Sequence, residues 1–305
     1  MSSKTNPEAP RCKICASADV GLLYRMHHAH EAEPFRLLEC RACGFRFIDT
    51  LDPPLADEAV EDRSALAATA REVAAGLESN RERIAQNAAL LRARVPAGGD
   101  VLDVGSGAGG FLIEIKSDYG RVAGVELDPK LLALSRSLGL DIDGRPLEHA
   151  GWSERAGSYD AVTLWDVIEH VNDPLDLSRR IHGLLRPGGT LLIDTPSRDG
   201  FFYRFGNLTA KLTGGRKAST MGIQYSSAPF CHKQIFRKRD MRRMLAEAGF
   251  RAVDIRQKFE LSFPPEYYTR HFIRGRALRA LVNPLLMLGF RLAPIRNKMI
   301  VTAVK

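Results

Sequence analysis

The chain has no long hydrophobic run, and this absence excludes one class of protein. A membrane-spanning helix needs about 18 or more consecutive apolar residues. The nearest candidate, Ala280 to Pro294, is shorter and is interrupted by Asn283, Pro284 and Arg291. The polar N-terminus also lacks the apolar segment of a secretion signal. We therefore expect a cytoplasmic protein, with peripheral contact to an anionic membrane left open.

Disorder, internal repeats and low-complexity tracts are missing as well. Apolar residues make up 45% and charged residues 26% of the chain, which is the usual balance of a globular protein. At about 150 residues per domain, 305 residues suggest about two domains. A chain of this length can bury a full core without disulfide bonds.

Positive charge is concentrated at one end of the chain. The formal net charge is +8, but residues 233–305 alone hold 17 basic and 5 acidic residues. An excess of this kind predicts an anionic partner for the C-terminal quarter: phosphate groups, nucleic acid or an acidic membrane face.

Four of the five cysteines form two C-x-x-C pairs. They are Cys12, Cys15, Cys40 and Cys43. Each pair lets one turn present two thiolates, and two such turns complete a tetrahedral zinc site with no open position. We predict a structural Zn²⁺ there, against a metal-free redox pair or chance spacing. The histidines between the pairs, His27, His28 and His30, are alternative ligands, although four cysteines already fill the site.

From residue 100 onward, apolar strand-like runs alternate with helical patterns. Such alternation predicts an α/β fold with a parallel sheet covered by helices, which binds ligands at the carboxyl ends of its strands. We divide the chain into a zinc-ribbon module (1–54), a helical linker or cap (55–97) and a main domain (98–305). Within the main domain, 196–235 is expected to be a substrate loop and 262–296 a basic amphipathic insertion.

The most distinctive motif is a glycine-rich loop. Gly105, Gly107 and Gly110 satisfy G-x-G-x-x-G, which by itself would allow a nicotinamide-dinucleotide enzyme. Asp103, two residues before the loop, favours a ligand with a cationic amino-acid part, because a carboxylate there repels a pyrophosphate. Glu126 ends the next predicted strand, where an acidic side chain can accept both ribose hydroxyls.

These motifs resemble the class I S-adenosylmethionine-dependent methyltransferases, here with an N-terminal zinc ribbon. The resemblance rests on four ordered segments: 101–109, 125–129, 159–171 and 184–191. It covers roughly residues 80–260 and the last strand, and ordered motifs are more specific than one glycine loop. It implies a Rossmann-like sheet of seven strands with the last strand antiparallel, and S-adenosylmethionine as cofactor.

The resemblance also implies a role for each matching position. Gly105, Ser106, Gly107 and Gly109 would approach the methionine and ribose parts of the cofactor. Asp103 would lie beside the methionine end, Glu126 would hold the ribose hydroxyls, and Leu127 would lie against the adenine. Trp165 and Asp166 would line the methionine side. Family members commonly place an acid after the third strand, but the aligned residue here is Arg145, so the adenine contact stays open.

An oxygen or carbon acceptor needs a base to take its proton. The candidates are His232, at the end of the predicted substrate loop, and His170, after the fourth strand of the methyltransferase sheet; Tyr225 is a weaker one. Histidine suits this role because its unperturbed pKa lies near neutral pH. A hydrogen-bonded structural histidine is the alternative for each.

The acceptor is less constrained than the cofactor. The combination of zinc ribbon and methyltransferase motifs is similar to enzymes acting on sugars, nucleotide-linked or lipid-linked intermediates and natural products. An RNA methyltransferase is the alternative within enzymes, and a non-catalytic zinc-ribbon adaptor is the alternative of another class. Three hypotheses stand for segment 262–296: docking on an anionic membrane, a phosphate clamp, or a lid helix with solvated arginines.

Overall fold

The computed structural model describes residues 10–26, 34–53, 63–214, 224–260, 269, 273–292 and 296–305. The segment between and after the cysteine pairs forms a three-stranded antiparallel sheet. Its strands are β1 (Val20–Met26), β2 (Phe35–Cys40) and β3 (Arg46–Ile48). His27, His28 and His30 lie outside the described residues.

A single long helix, α1 (Arg63–Arg92), connects the ribbon to the main sheet. Gly76 lies inside this helix, where glycine weakens the helical conformation, yet the helix is continuous. The side chains of Ser79 and Asn80 both donate to the Gly76 carbonyl at 2.8 Å, so this turn is held by additional hydrogen bonds.

The main domain is a seven-stranded sheet. Its strands are β4 (Asp100–Val104), β5 (Arg121–Val125), β6 (Asp141–Asp143), β7 (Tyr159–Trp165), β8 (Leu185–Pro196), β9 (Arg251–Lys258) and β10 (Lys298–Val304). The order across the sheet is β6-β5-β4-β7-β8-β10-β9, and β10 pairs antiparallel with both β8 and β9. The predicted Rossmann-like α/β class with an antiparallel last strand is therefore confirmed.

Helices cover this sheet, and local sequence signals set where they start. They are α2 (Gly110–Ile115), α3 (Pro129–Ser137), α4 (Pro174–Leu184), α5 (Phe201–Leu212), α6 (Lys238–Glu247) and α7 (Arg276–Leu292). Asp128 and Asp173 cap α3 and α4, each accepting from backbone N–H groups of the first turn with proline as the next residue. No helix in the described part of the chain is long and apolar enough to cross a bilayer.

One expectation about the second half of the chain was wrong. The segment 196–235, expected to be a loop, contains α5. Polar and glycine residues around α5 obscured the helical spacing of its apolar side chains.

The ribbon and the main sheet share one hydrophobic core. The Phe45 ring lies 5.3 Å from the Phe236 ring, and both side chains are fully buried. Two arginines add polar contacts, because Arg198 donates to the Gly44 carbonyl at 2.9 Å and Arg237 donates to that of Cys43 at 3.1 Å. The ribbon is therefore packed against the main domain.

Candidate functional site

The glycine loop leaves β4 and folds over the end of β5. The N–H groups of Gly105 and Ser106 both donate to the Val125 carbonyl, at 2.8 and 2.9 Å. Gly105 and Gly107 have φ values of +76° and +56°, which side chains with a Cβ rarely adopt. A Cβ on Gly107 would meet no atom within 4 Å, so the loop borders open space at this point.

Glu126 lies directly beside this loop. Its carboxylate accepts from the Gly107 N–H at 2.6 Å and from the N–H groups of Leu127 and Asp128, each at 2.7 Å. Each carboxylate oxygen retains lone-pair capacity, so hydroxyl groups of a ligand could still donate to it. The backbone bonds also fix the position of the carboxylate before a ligand arrives.

Asp103 lies at the end of β4 and is 2% exposed. Burial raises the pKa of Asp103 to about 7, opposed by a 2.6 Å hydrogen bond from Thr163 and aided by the charge of Glu126. Burial also raises the pKa of Glu126, against three backbone hydrogen bonds. Two buried carboxyls with raised pKa values beside a glycine loop fit a ligand that brings positive charge, which would favour their ionised forms.

Two large side chains flank the same strand ends. Leu127 is 36% exposed and is available to cover an aromatic ring. The Trp165 ring packs edge-on against Phe111 at 5.2 Å. Its buried indole N–H has no hydrogen-bond partner among the described residues. An open glycine turn, carboxyls and an unpaired donor together fit a nucleoside with an amino-acid tail.

The residue at the end of β6, the third strand of the methyltransferase sheet, differs from the expectation. An acid is present, but it is Asp143, at the end of β6. Arg145 donates to both of its carboxylate oxygens, at 3.0 and 2.8 Å. The Arg145 guanidinium is thus already paired, and the ion pair occupies the edge where an adenine contact was left open.

Asp166, predicted to line the cofactor, belongs to an ion-pair network. The Lys298 ammonium lies 2.6 Å from one of its oxygens and the Arg83 guanidinium 2.5 Å from the other. Burial alone would raise the pKa of Asp166, but these two cations lower it overall. Asp166 also has a φ of +56° and is therefore held in a strained conformation at the end of β7.

Lys298 extends this network into the antiparallel strands. It is 2% exposed and lies 3.1 Å from Glu260 and 3.5 Å from Asp194. Lys258 lies 2.6 Å from the second Asp194 oxygen. Sequence analysis missed these residues. Lys298 is the first residue of the otherwise apolar strand β10. A charged residue at the start of a buried strand was the sequence feature that could have indicated a buried ion pair.

The two candidate bases, His170 and His232, lie together. Their ring centres are 4.7 Å apart, and each Nε2 lies 4.0 Å from an oxygen of Glu169. Each Nδ1 is held by a backbone carbonyl: Phe230 at 2.8 Å for His170, and Gln224 at 3.0 Å for His232. Burial lowers the pKa of both, that of His232 to about 4, so both rings are neutral at pH 7. Glu169 was missed, although it directly precedes His170.

Tyr225, the weaker candidate, lies elsewhere. Its side chain is fully buried and its hydroxyl is 3.0 Å from that of Tyr203. Burial raises the pKa of Tyr225 well above 10. A phenol with these properties is part of a packed core, so the structure does not bring Tyr225 together with the two histidines.

The four cysteines predicted as metal ligands converge. Their sulfur atoms all lie within 4.8 Å of one another, with Cys12 to Cys43 at 3.6 Å and Cys15 to Cys40 at 3.7 Å. Tetrahedral zinc with Zn–S bonds of about 2.3 Å separates its sulfurs by about 3.8 Å. Gly44 has a φ of +74°, as the second cysteine turn requires. The cluster is positioned to bind a metal ion, and its donor set suits Zn²⁺.

Comparison with protein families gives a match over most of the main domain. A family model described as a methyltransferase domain matches residues 77–255, more than half of the chain. The ubiquinone biosynthesis O-methyltransferase of Xanthomonas axonopodis pv. citri is 41% identical over 110 residues, which is 34% of this chain and 45% of that protein. The enzyme of the same name from Pseudomonas paraeruginosa is 35% identical over 121 residues, 38% of this chain and 52% of its own. The chain thus matches about half the length of these curated relatives.

Solved structures with low sequence identity share the fold. The chain is similar to the methyltransferase in a Haloferax volcanii complex with the Trm112 methyltransferase activator. This match has a TM-score of 0.53 and 17% identity, and covers 81% of this chain and 99% of that one. A Thermotoga maritima S-adenosylmethionine-dependent methyltransferase gives a TM-score of 0.50 and 14% identity, over 79% and 99% of the two chains. The family match, the order of the strands in the sheet and the glycine loop all indicate the same family. The chain belongs to the class I S-adenosylmethionine-dependent methyltransferases.

Proposed function

We propose that this methyltransferase acts on a hydroxyl group of a small-molecule or glycan-type acceptor: a sugar, a nucleotide-linked or lipid-linked intermediate, or a natural product. The observation that carries the proposal is the pair His170 and His232, whose Nε2 atoms each lie 4.0 Å from a Glu169 oxygen beside the carboxyl end of β7. The names of the curated relatives, which are O-methyltransferases, support an oxygen acceptor.

The cofactor-binding half of the proposal follows from the strand ends. When bound, S-adenosylmethionine supplies a methyl carbon on a positively charged sulfur, which an oxygen can attack as the carbon–sulfur bond breaks. Asp103 would hold the cationic amino group and Glu126 the ribose hydroxyls, while Leu127 would cover the adenine. The remaining cofactor contacts would come from Gly105, Ser106, Gly107, Gly109, Trp165 and Asp166.

The catalytic half of the proposal rests on the histidine tautomers. A carbonyl oxygen only accepts, so each Nδ1 carries its proton and each Nε2 presents a lone pair. The acceptor hydroxyl would donate to one of these Nε2 atoms, which then accepts its proton. Both side chains are about one third exposed, which leaves room for an acceptor to approach.

A transfer assay with defined acceptors tests this proposal. The purified chain is incubated with S-adenosylmethionine and, separately, with a catechol, a nucleotide-linked sugar and a short RNA, and S-adenosylhomocysteine is measured. We expect release with a hydroxyl-bearing small molecule, and product mass spectra that place the methyl group on oxygen. Transfer only to RNA, or only to nitrogen, would contradict the proposal.

A second proposal concerns the surface on which the protein would encounter a lipid-linked acceptor. We propose that α5 and α7 dock on an anionic lipid surface. Both helices expose a stripe of large apolar side chains at helical spacing. On α5 these are Phe201, Phe205, Leu208 and Leu212, and on α7 they are Leu278, Leu281, Leu285 and Leu288.

Charge and position support this surface. The exposed side chains of Arg204 and Lys211 on α5 and Arg276 on α7 lie on the same helices as the apolar stripes. The Phe201 N–H donates to the Arg296 carbonyl at 3.0 Å, so α5 starts close to the chain that follows α7. Apolar stripes bordered by cations fit the interface of a bilayer rich in anionic headgroups.

Vesicle flotation tests the docking surface. We expect the chain to float with phosphatidylglycerol vesicles at low salt, and the double variant Leu281→Glu/Leu285→Glu to stay in the bottom fraction. Leu138→Glu, at an exposed leucine after α3, is the control and should float. Wild-type protein that does not float, or a double variant that floats like it, contradicts docking by this surface.

A further inference from the structure

We infer that Glu169, His170 and His232 form a binding site for a divalent transition-metal ion, separate from the four-cysteine cluster. The inference deepens the proposed function and rests on it, because the ion would act on the acceptor hydroxyl. One atom of each side chain takes part: a Glu169 oxygen and the two Nε2 atoms, which all lie within 4.8 Å of one another.

The two imidazoles are oriented as metal ligands before any ion arrives. The carbonyls of Phe230 and Gln224 each accept from an Nδ1–H, at 2.8 and 3.0 Å. A backbone carbonyl on the distal nitrogen is the usual partner of a metal-bound histidine, because it fixes the tautomer and the ring plane. Both Nε2 lone pairs are therefore directed to the same side of the loop, where Glu169 lies.

The carboxylate supplies an independent indication of a missing ligand. Glu169 is fully buried, and one of its oxygens accepts from the Thr195 hydroxyl at 2.9 Å. The other oxygen, 4.0 Å from each Nε2, has no hydrogen-bond partner among the described residues. An unpaired buried carboxylate oxygen is unfavourable, and a cation between the three atoms would satisfy it.

The donor set restricts the kind of ion. Two imidazole nitrogens and one carboxylate oxygen favour zinc, iron or manganese over the oxygen-preferring Ca²⁺ and Mg²⁺. Bonds of about 2.1 Å would bring the ligand atoms to about 3.4 Å from one another, closer than the 4.0 Å seen here. Three protein ligands leave at least one coordination position open, in contrast to the four thiolates of the ribbon.

The location gives the ion a function. A Cβ on Gly105 would lie 2.6 Å from Val167, three residues before His170, so the cluster adjoins the cofactor loop. An acceptor hydroxyl bound at the open position would have a lower pKa and would release its proton to solvent water at neutral pH. With the ion bound, the two histidines would serve the proposed transfer as metal ligands in place of acting as bases.

Manganese binding tests this inference directly. Mn²⁺ is titrated into the purified full chain with zinc retained in the four-cysteine cluster, and binding is followed by electron paramagnetic resonance. Thiolates select zinc over manganese, so the four-cysteine cluster should not take up the Mn²⁺. We expect one saturable Mn²⁺ per chain, with nitrogen couplings from two imidazoles. Affinity should fall at least about 100-fold in Glu169→Gln and in His232→Ala, and stay unchanged in His149→Ala, at an exposed histidine elsewhere.

S-adenosylhomocysteine affinity, measured in the same samples, separates the possible failures. Variants that still bind S-adenosylhomocysteine are folded, so their loss of Mn²⁺ supports the site. Wild-type protein that binds S-adenosylhomocysteine but no Mn²⁺ or second zinc overturns the inference and leaves the proposed function in place. Wild-type protein that does not bind S-adenosylhomocysteine contradicts the proposed function instead.

Discussion

The proposed cofactor side and the proposed acceptor side of the site are assembled in different ways. On the cofactor side, the glycine loop and Glu126 come from two consecutive strand ends and are joined by backbone hydrogen bonds over about twenty residues. On the acceptor side, the histidine pair depends on segment 224–236, on the end of β7 and on the zinc ribbon. The first arrangement is local in sequence, and the second is built from distant parts of the chain.

Gln234 is the centre of the acceptor-side assembly. Its buried side-chain amide donates to the carbonyls of Ile168 and Val171, at 3.0 and 2.8 Å, and accepts from Lys13 at 2.9 Å. Lys13 lies between the first two cysteines. The neighbouring Lys233 is also buried and pairs with Asp52 at 2.8 Å, near the end of the ribbon module.

This difference indicates a role for the ribbon. A closed four-cysteine cluster has no position for a substrate, so it contributes through what it holds in place. Through Lys13 and Gln234 it holds the chain on both sides of the histidine pair. The ribbon should therefore affect the acceptor side and leave the cofactor side nearly unchanged, and the following predictions test that separation.

The largest expected effect is on the cofactor side. Glu126→Ala removes the carboxylate proposed to accept two ribose hydroxyls, and hydrogen bonds to a charged group are worth about 1.5–3 kcal/mol each. S-adenosylhomocysteine affinity, measured by calorimetry, should fall at least about 100-fold. Glu148→Ala, at an exposed carboxylate nearby, should bind like the wild type. Equal affinities for the two variants would show that Glu126 does not hold the cofactor.

The next effect should be confined to the acceptor side. Cys40→Ser removes one of four sulfurs at a fully buried position, so the metal site and the ribbon should loosen. We expect a thermal midpoint lower by more than about 5 °C and faster hydrogen exchange in 224–236. S-adenosylhomocysteine affinity should stay near that of the wild type. Cys231→Ser, outside the cluster, is the control, and a matching loss of cofactor affinity in Cys40→Ser would contradict the separation.

A smaller effect should be the pH dependence of S-adenosylhomocysteine affinity. The pKa of Asp103 is raised to about 7, so between about pH 4 and 7 the folded protein keeps a proton that the unfolded chain has lost. This carboxyl therefore contributes less stability as pH rises through that window. A cationic amino group needs the ionised form, so S-adenosylhomocysteine affinity should be about tenfold higher at pH 8 than at pH 6. The Asp103→Asn variant should bind S-adenosylhomocysteine weakly, with little pH dependence. A wild-type affinity that does not change over this pH range would argue against the contact between Asp103 and the amino group.

The smallest effect should come from the contact between the ribbon and segment 224–236. Lys13→Met removes one hydrogen bond to Gln234, which should cost about 1 kcal/mol and lower the thermal midpoint by about 2–4 °C. Lys116→Met, at an exposed lysine, should melt like the wild type. Hydrogen exchange should increase at 230–236 in Lys13→Met alone. Uniform exchange changes throughout the chain would show that Lys13 has no specific role there.

The same contrast explains what could be predicted from the sequence. The glycine loop, the four cysteines and the sheet class were predictable, because each depends on residues a few positions apart or on a simple alternation of elements. Histidines 170 and 232 were each identified as candidates, but nothing in the sequence indicated that they would meet. Their partner Glu169 is tied to the same distant segment, because the N–H groups of Lys233 and Gln234 both donate to its backbone carbonyl.

The ion-pair network was missed for a related reason. Arg83, Asp166 and Lys298 come from a helix, a strand end and the last strand, so they pair only after the sheet has closed. Asp143 was overlooked because the alignment favoured Arg145, two residues later. Helix α5 was hidden by the polar residues around it.

The most direct test of the account is calorimetry of the purified wild-type chain with S-adenosylhomocysteine at pH 8, alongside a reduced nicotinamide dinucleotide. The account predicts saturable binding of one S-adenosylhomocysteine per chain and no heat from the dinucleotide. Binding of the dinucleotide, or no response to S-adenosylhomocysteine, would contradict the assignment of the glycine loop and of the two carboxyls beside it.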